Sequence, residues 1–159
     1  MDERTSNEPV IDPEEILEGI KTWVDIETPS HLGKEVNKLV DLVEKSMQAL
    51  GTEIIRVPGR DGYGDILKAK TSWGHPGEEK GILVLSHLDT VHPMGTINDP
   101  LPWKWEGNRI QGPGVYDMKA GAHMAYYAFQ HLVRQGKSSK LPITFLYVPE
   151  EEVGSPTSQ

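Results

Sequence analysis

Two apolar runs, Gly81-Ile82-Leu83-Val84-Leu85 and Ile143–Val148, constrain the fold of this chain more than any other feature. Both are apolar on consecutive rather than alternate positions, the pattern of strands buried on both faces. Between them, from about Lys119 to Arg134, runs a helix-period stretch that places Met124, Ala125, Ala128, Leu132 and Val133 inward. A strand, a connection containing a helix, and a second apolar strand make a crossover unit. The expected class is therefore α/β: a mixed, largely parallel sheet flanked by helices, with Gly81–Leu85 in its middle.

The segments around this unit fit that class. Asp12-Pro13-Glu14-Glu15 combines an N-cap residue, a proline at the first helical position and two acids near the helix's positive end. The helix it opens carries Ile16, Ile20, Trp23 and Val24 at helical spacing and breaks at Thr28-Pro29-Ser30. A second helix, from about Gly33 to Leu50, has Val36, Leu39, Val40, Val43, Met47 and Leu50 on one face and Gly51 as its stop. Glu53–Val57 and Ile66–Ala69 read as a strand pair around a glycine-rich turn. Trp103–Glu106 and Arg109–Gln111 read as a hairpin closed by Gly107-Asn108. Residues 1–12 show no apolar period and read as a flexible tail before a domain that begins at residue 13.

Composition narrows the chemistry. None of the 159 residues is cysteine, which excludes a disulfide framework, a thiol nucleophile, an iron–sulfur cluster and a thiolate zinc site. Any metal must be held by His, Asp and Glu. The chain has 16 basic and 24 acidic side chains, a formal net charge of -8, and no basic cluster, so neither nucleic acid nor an anionic membrane is an expected partner. The longest apolar run, Met124 to Phe129, is far below the roughly 20 residues that span a bilayer, and the N-terminus lacks a basic-then-apolar signal pattern. The expected compartment is the cytoplasm.

Chemistry-bearing residues collect where the apolar strands end, the edge at which α/β sheets form crevices. The first strand runs into Ser86-His87-Leu88-Asp89, and residues two apart in an extended segment point the same way, so His87 and Asp89 can face one site. The last strand runs into Pro149-Glu150-Glu151-Glu152. If that segment stays extended, Glu151 and Glu152 point to opposite sides and can do different jobs. Between them, Gly112-Pro113-Gly114 presents Asp117 near a helix start. Taken singly, a His-x-Asp is also a structural hydrogen-bonded pair and three glutamates are also a solvated turn. Their coincidence at one sheet edge makes a metal site a candidate, with oxygen and imidazole ligands suited to zinc, cobalt or manganese. Of the other histidines, His92 is expected in a polar loop, with a place lining the pocket as the alternative, and His31, His75, His123 and His131 in surface or packing roles.

The segments SHLDTVHPMG (86–95), GPGVYDMKAG (112–121) and PEEEVGS (149–155) resemble, in order and spacing, the motifs of the M20 family of zinc metallopeptidases. The resemblance runs from about Glu14 to the last residue. It implies a three-layer αβα catalytic domain, incomplete at the C-terminus, with residues 13–159 as its N-terminal portion and the lid or dimerisation domain absent. It also implies two divalent ions, zinc first, with His87 a ligand of one, Asp117 the bridging carboxylate and Glu152 a ligand of the other. Glu151 takes the place of the general base, and Asp89 that of the carboxylate supporting the metal-binding histidine. Glu150 stands where the family often has Asp. The implied reaction is hydrolysis of an amide bond in a small peptide or N-acyl amino acid, carboxypeptidase-like and with release of a C-terminal acidic amino acid. Deacylase or desuccinylase activity is the alternative, and a non-catalytic truncated binding module is a further one. The family's remaining ligands, a downstream carboxylate and a late histidine, have no counterpart here, so the expectation is a truncated chain with little activity of its own and a full-length form that is a homodimer.

Overall fold

A computed structural model describes residues 10–75 and 80–159. Helix α1 spans Pro13–Val24, with the Asp12 side chain accepting the Glu14 N–H at 2.9 Å, and α2 spans Gly33–Ala49. Strands β1 (Glu53–Val57), β2 (Ile66–Lys70), β3 (Ile82–His87) and β6 (Ile143–Val148) form one sheet, while β4 (Lys104–Glu106) and β5 (Arg109–Gln111) form a separate hairpin. Helix α3, Ala120–Arg134, connects the hairpin region to β6 and is entered through a wide turn, Val115–Lys119, in which Asp117 and Met118 leave the helical conformation. Of the expected tail, residues 1–9 lie outside the described residues, and Val10 to Asp12 are exposed. Among the described residues no helix is long and apolar enough to cross a membrane.

The sheet order is β1-β2-β6-β3. β3 and β6 are parallel, as the crossover predicts, and β1–β2 and β2–β6 are antiparallel, so the sheet is mixed. Registers Leu67↔Tyr147 and Ala69↔Phe145 put these four side chains on one face. There they meet Val36, Leu39, Val40, Val43 and Met47 of α2, Trp23 of α1, and Ala122 and Phe129 of α3 in one core. Each of the larger apolar side chains buried there contributes about 1.5–3 kcal/mol before chain entropy is counted. Arg56 of β1 ties the sheet to α2 through Asp41 (2.6 Å) and Glu44 (2.8 Å), and to the β1–β2 turn through Asp65 (2.7 Å).

Two expectations are corrected. β3 is not central: it is the last strand of the sheet, with Leu83 61% and Leu85 57% exposed on the face away from the helices. Among the described residues all three long helices share one face, so consecutive apolar residues mark a strand whose second face is open here. The inward face of α3 is also partly different. Ala125 and Val133 pack against the core as expected, but Met124, Ala128 and Leu132 are exposed, and Ala122, His123, Tyr127 and Phe129 are buried instead. The polar tip of Tyr127 makes this possible, because it accepts the Asp12 N–H (3.2 Å) and donates to Glu15 (2.9 Å) at the start of α1. Helix phase thus follows the ring packing of His123, Tyr127 and Phe129 rather than the most apolar side chains.

Candidate metal centre

The site forms where β3 and β6 end. Beyond β3 the chain stays extended, and Thr28-Pro29-Ser30 runs beside it: Thr90 N donates to Thr28 O (2.8 Å) and Ser30 N to Thr90 O (3.3 Å). This pairing delivers Ser30 Oγ to Asp89 Oδ2 at 2.6 Å. Asp89, fully buried, also accepts the backbone N–H of Glu151 on Oδ1 (3.1 Å) and of Glu152 on Oδ2 (3.2 Å). One carboxylate therefore joins the β3 exit, the α1–α2 connection and the β6 exit.

Asp117 comes from the loop that follows the hairpin. Gly114, at φ 68°, lies so close to the β3 exit that a Cβ there would sit 2.4 Å from Thr90 Cγ2, so this approach needs glycine. The turn Val115–Lys119 closes with Lys119 N donating to Gly114 O (2.9 Å). The buried Lys119 Nζ donates to Ile26 O at 2.6 Å, tethering the turn to the α1–α2 connection. Burial pushes that ammonium down to about 7, against the pull of Glu27 and Asp89.

His87, Asp117 and Glu152 converge: each offers one ligand atom, and these atoms all lie within 4.8 Å of one another. His87 turns Nδ1 toward Asp89, 3.1 Å from its carbonyl and 3.3 Å from Oδ1, and Nε2 toward Asp117 Oδ1 at 3.0 Å. Burial lowers the His87 pKa, but the hydrogen bonds to Asp89 and Asp117 outweigh it and hold the imidazole at about 9. Burial raises Glu152 above the usual carboxylate range, and the negative charges of Asp117, Asp89 and Glu151 push the same way against His87. Mutually repelling carboxylates around an imidazole oriented through its other nitrogen are a donor set that a divalent cation relieves. The residues present fit such an ion.

The five candidates named from the sequence are thus brought together, with Glu151 Oε2 3.9 Å from His87 Nε2. The expected extended geometry after β6 is corrected, because Glu151–Val153 is a short helical turn. Asp89 captures both amides, and the Glu150 carbonyl accepts Ser155 N at 3.0 Å, which curls the segment. His92, expected in a polar loop, lines a cleft of about 320 Å³ together with Ser30, His31 and Glu152. Sequence reading missed Ser30 and Lys119 as supports. It also missed Glu27, whose carboxylate accepts the N–H groups of Gly95 (2.8 Å) and Ile97 (3.0 Å), and the fully buried Glu150. Only the proline break at 28–30 signalled that Ser30 was placed by a loop.

Residues 83–158 match the profile of Peptidase family M20/M25/M40. Carboxypeptidase G2 of Pseudomonas sp. (strain RS-16) is 28% identical over 141 residues, covering 88% of this chain and 33% of that protein. Aminoacylase-1 of Dictyostelium discoideum is 31% identical over 78 residues, 47% of this chain and 19% of that protein. Human carnosine dipeptidase 1 shares the fold at a TM-score of 0.75 and 20% identity, over 91% of this chain and 34% of that one. The M20 family metallo-carboxypeptidase Sso-CP2 from Sulfolobus solfataricus does so at 0.70 and 20% identity, over 91% and 32%. The chain spans about a third of the length of carboxypeptidase G2. The matched segment, 83–158, contains all five site residues, so the similarity to peptidase family M20/M25/M40 lies over the part of the chain that carries the candidate metal centre.

Proposed function

We propose that this chain carries part of the active site of a metal-dependent amide hydrolase, with zinc as the first candidate and cobalt or manganese as alternatives. The observation that carries the reading is the convergence of His87, Asp117 and Glu152 on one point. In this reading His87, Asp117 and Glu152 would hold the metal, with His87 and Glu152 as terminal ligands and Asp117 as the carboxylate shared between two ions if two are bound. Divalent ions supply a more acidic water and a polarised carbonyl. Glu151 accepts the proton of the attacking water and passes it to the leaving amine. Asp89 keeps Nδ1 of His87 engaged, so that Nε2 is the nitrogen left for a metal.

Three such side chains give each of two ions only two protein ligands, one short of a catalytic zinc site, so the 159 residues alone turn over slowly. For substrate, the carboxypeptidase-like reading, release of a C-terminal acidic amino acid, is favoured. Carboxypeptidase G2 matches 88% of the chain, whereas aminoacylase-1, which supports the N-acyl amino acid alternative, matches 47%. The full-length protein is read as a cytoplasmic homodimer. Zinc calorimetry on the 159-residue chain, with hydrolysis assays on peptides ending in glutamate and on N-acyl amino acids, tests the proposal. Zinc binding lost in His87→Ala with weak turnover is the expected result. Zinc binding that His87→Ala leaves unchanged overturns the site, and robust turnover overturns the ligand-count argument.

A further inference from the structure

Glu150 lies just beyond the end of β6, after Pro149, and has 0% of its surface exposed. Its Oε1 accepts Thr157 N (3.0 Å), Thr157 Oγ1 (2.9 Å) and Ser158 Oγ (2.6 Å), and its Oε2 lies 2.8 Å from the same Ser158 hydroxyl. These donors are neutral and all sit seven or eight residues downstream. The Glu150 carbonyl meanwhile accepts Val153 N (3.4 Å) and Ser155 N (3.0 Å). The loop from 151 to 158 is therefore held from both ends of a single residue, by its main chain at the near end and its side chain at the far end. Arg60 adds an outer tie by donating to Thr157 O at 3.0 Å.

A buried carboxylate is expensive unless its lone pairs are filled, and hydroxyl and amide donors fill them only in fixed directions. Such a carboxylate is a directional clamp in a way that an apolar side chain of the same size is not. The loop it closes carries Glu151 and Glu152, whose amides are fixed on the opposite side by Asp89. We propose that Glu150 is a positioning residue: by closing on Thr157 and Ser158 it sets Glu152 at ligand distance from His87 and Asp117. The inference rests on the metal-centre reading above and adds to it a residue outside the ligand set.

The test is a cobalt(II) titration of the 159-residue chain, followed by visible absorption, for wild type, Glu150→Gln, Ser158→Ala, Glu152→Ala and the double variant Glu150→Gln/Glu152→Ala. Metal-free thermal unfolding is recorded in parallel. Glu150→Gln keeps the shape but puts an NH2 group where oxygens accept, and is expected to weaken cobalt binding at least tenfold. Ser158→Ala removes one donor at a part-buried position and is expected to weaken it severalfold, so it carries the test should Glu150→Gln fail to fold. A general loosening of the fold would weaken binding equally with or without Glu152, whereas positioning through Glu152 requires the Glu150→Gln effect to disappear in the Glu152→Ala background. Unchanged affinity in both single variants, or an equal loss in both backgrounds, overturns the proposal while leaving the metal centre intact. A wild-type chain that binds no cobalt overturns the metal centre and this inference together.

Discussion

Asp89 shows how much of this site hangs on single side chains. Its two oxygens serve His87, Ser30 and the amides of Glu151 and Glu152, and full burial leaves no water to replace a lost partner. Asp89→Asn turns one acceptor into a donor that faces donors. The expected cost is about 1–3 kcal/mol, read as a lower urea midpoint alongside weaker zinc binding, and an unchanged midpoint contradicts the assignment. A second buried group works through protonation. His123 is 4% exposed, and burial pushes its imidazole down to about 4, with only a weak opposing pull from Glu15. The unfolded chain takes up this proton near 6.5 while the folded chain resists it until about 4, so between those values the unfolded state binds more protons and stability falls as pH falls. At about 1.4 kcal/mol per unit the full loss is about 3 kcal/mol. Urea midpoints at pH 7 and pH 4.5 should differ more in wild type than in His123→Leu. Equal differences in the two proteins would remove the buried neutral histidine from the account.

At the scale of elements, the contact between α1 and α3 is set by glycine. A Cβ on Gly19 would lie 2.1 Å from His123 Nε2, and that ring is itself held edge-on against Trp23 at 5.1 Å and near Tyr126 at 5.6 Å. Gly19→Ala gains about 1 kcal/mol of helix propensity but overpacks the contact by about 1–3 kcal/mol. The melting temperature should drop in the wild-type background and rise when the same change is made in His123→Ala. A drop in both backgrounds would mean that His123 is not the obstacle. This contact also marks where sequence reading reached its limit. Periodicity and caps located α1, α2, β1, β2, β6 and the hairpin, because those signals are local and lie in the chain itself. The face of α3 was legible only at Ala125 and Val133: its phase is fixed by the Val115–Lys119 turn and by long-range partners of Tyr127, and neither leaves a trace in apolar spacing. The meeting of the candidate site residues was legible because strand ends and glycine loops mark where polar groups gather, while their separate roles came only from the motif resemblance. Ser30, Glu27, Lys119 and Glu150 were not, since each acts through backbone groups or hydroxyls that only the folded chain brings near.

For the whole molecule, the decisive asymmetry is between the two faces of the sheet. One face is closed by α2, α3 and, through them, α1. The other presents Leu83 (61% exposed) and Leu85 (57%) on the last strand, and Ile55 (46%) and Val57 (48%) on the first. Among the described residues no strand pairs with the outer edge of β3. Lys68 and Lys70 of β2 stand between these two apolar edges, so the hydrophobic surface is concentrated along β3, whose unpaired edge also offers free backbone groups to another molecule. The isolated 159-residue chain should therefore self-associate, with an average mass by light scattering that rises with protein concentration and falls as urea is added below the unfolding transition. Leu83→Lys places charge on a side chain that is already 61% exposed, so it should leave the helical circular-dichroism signal unchanged while suppressing the rise in mass. Leu85 is left in place because it lines the same cavity as His87 and Glu151, whereas Leu83 lies outside that cavity. Zinc binding by the substituted chain should accordingly match wild type, which separates an effect on association from damage to the site. A wild-type mass that stays monomeric at every concentration would mean that the open face does not drive association, and zinc binding abolished by the lysine would mean that this face helps to hold the site together.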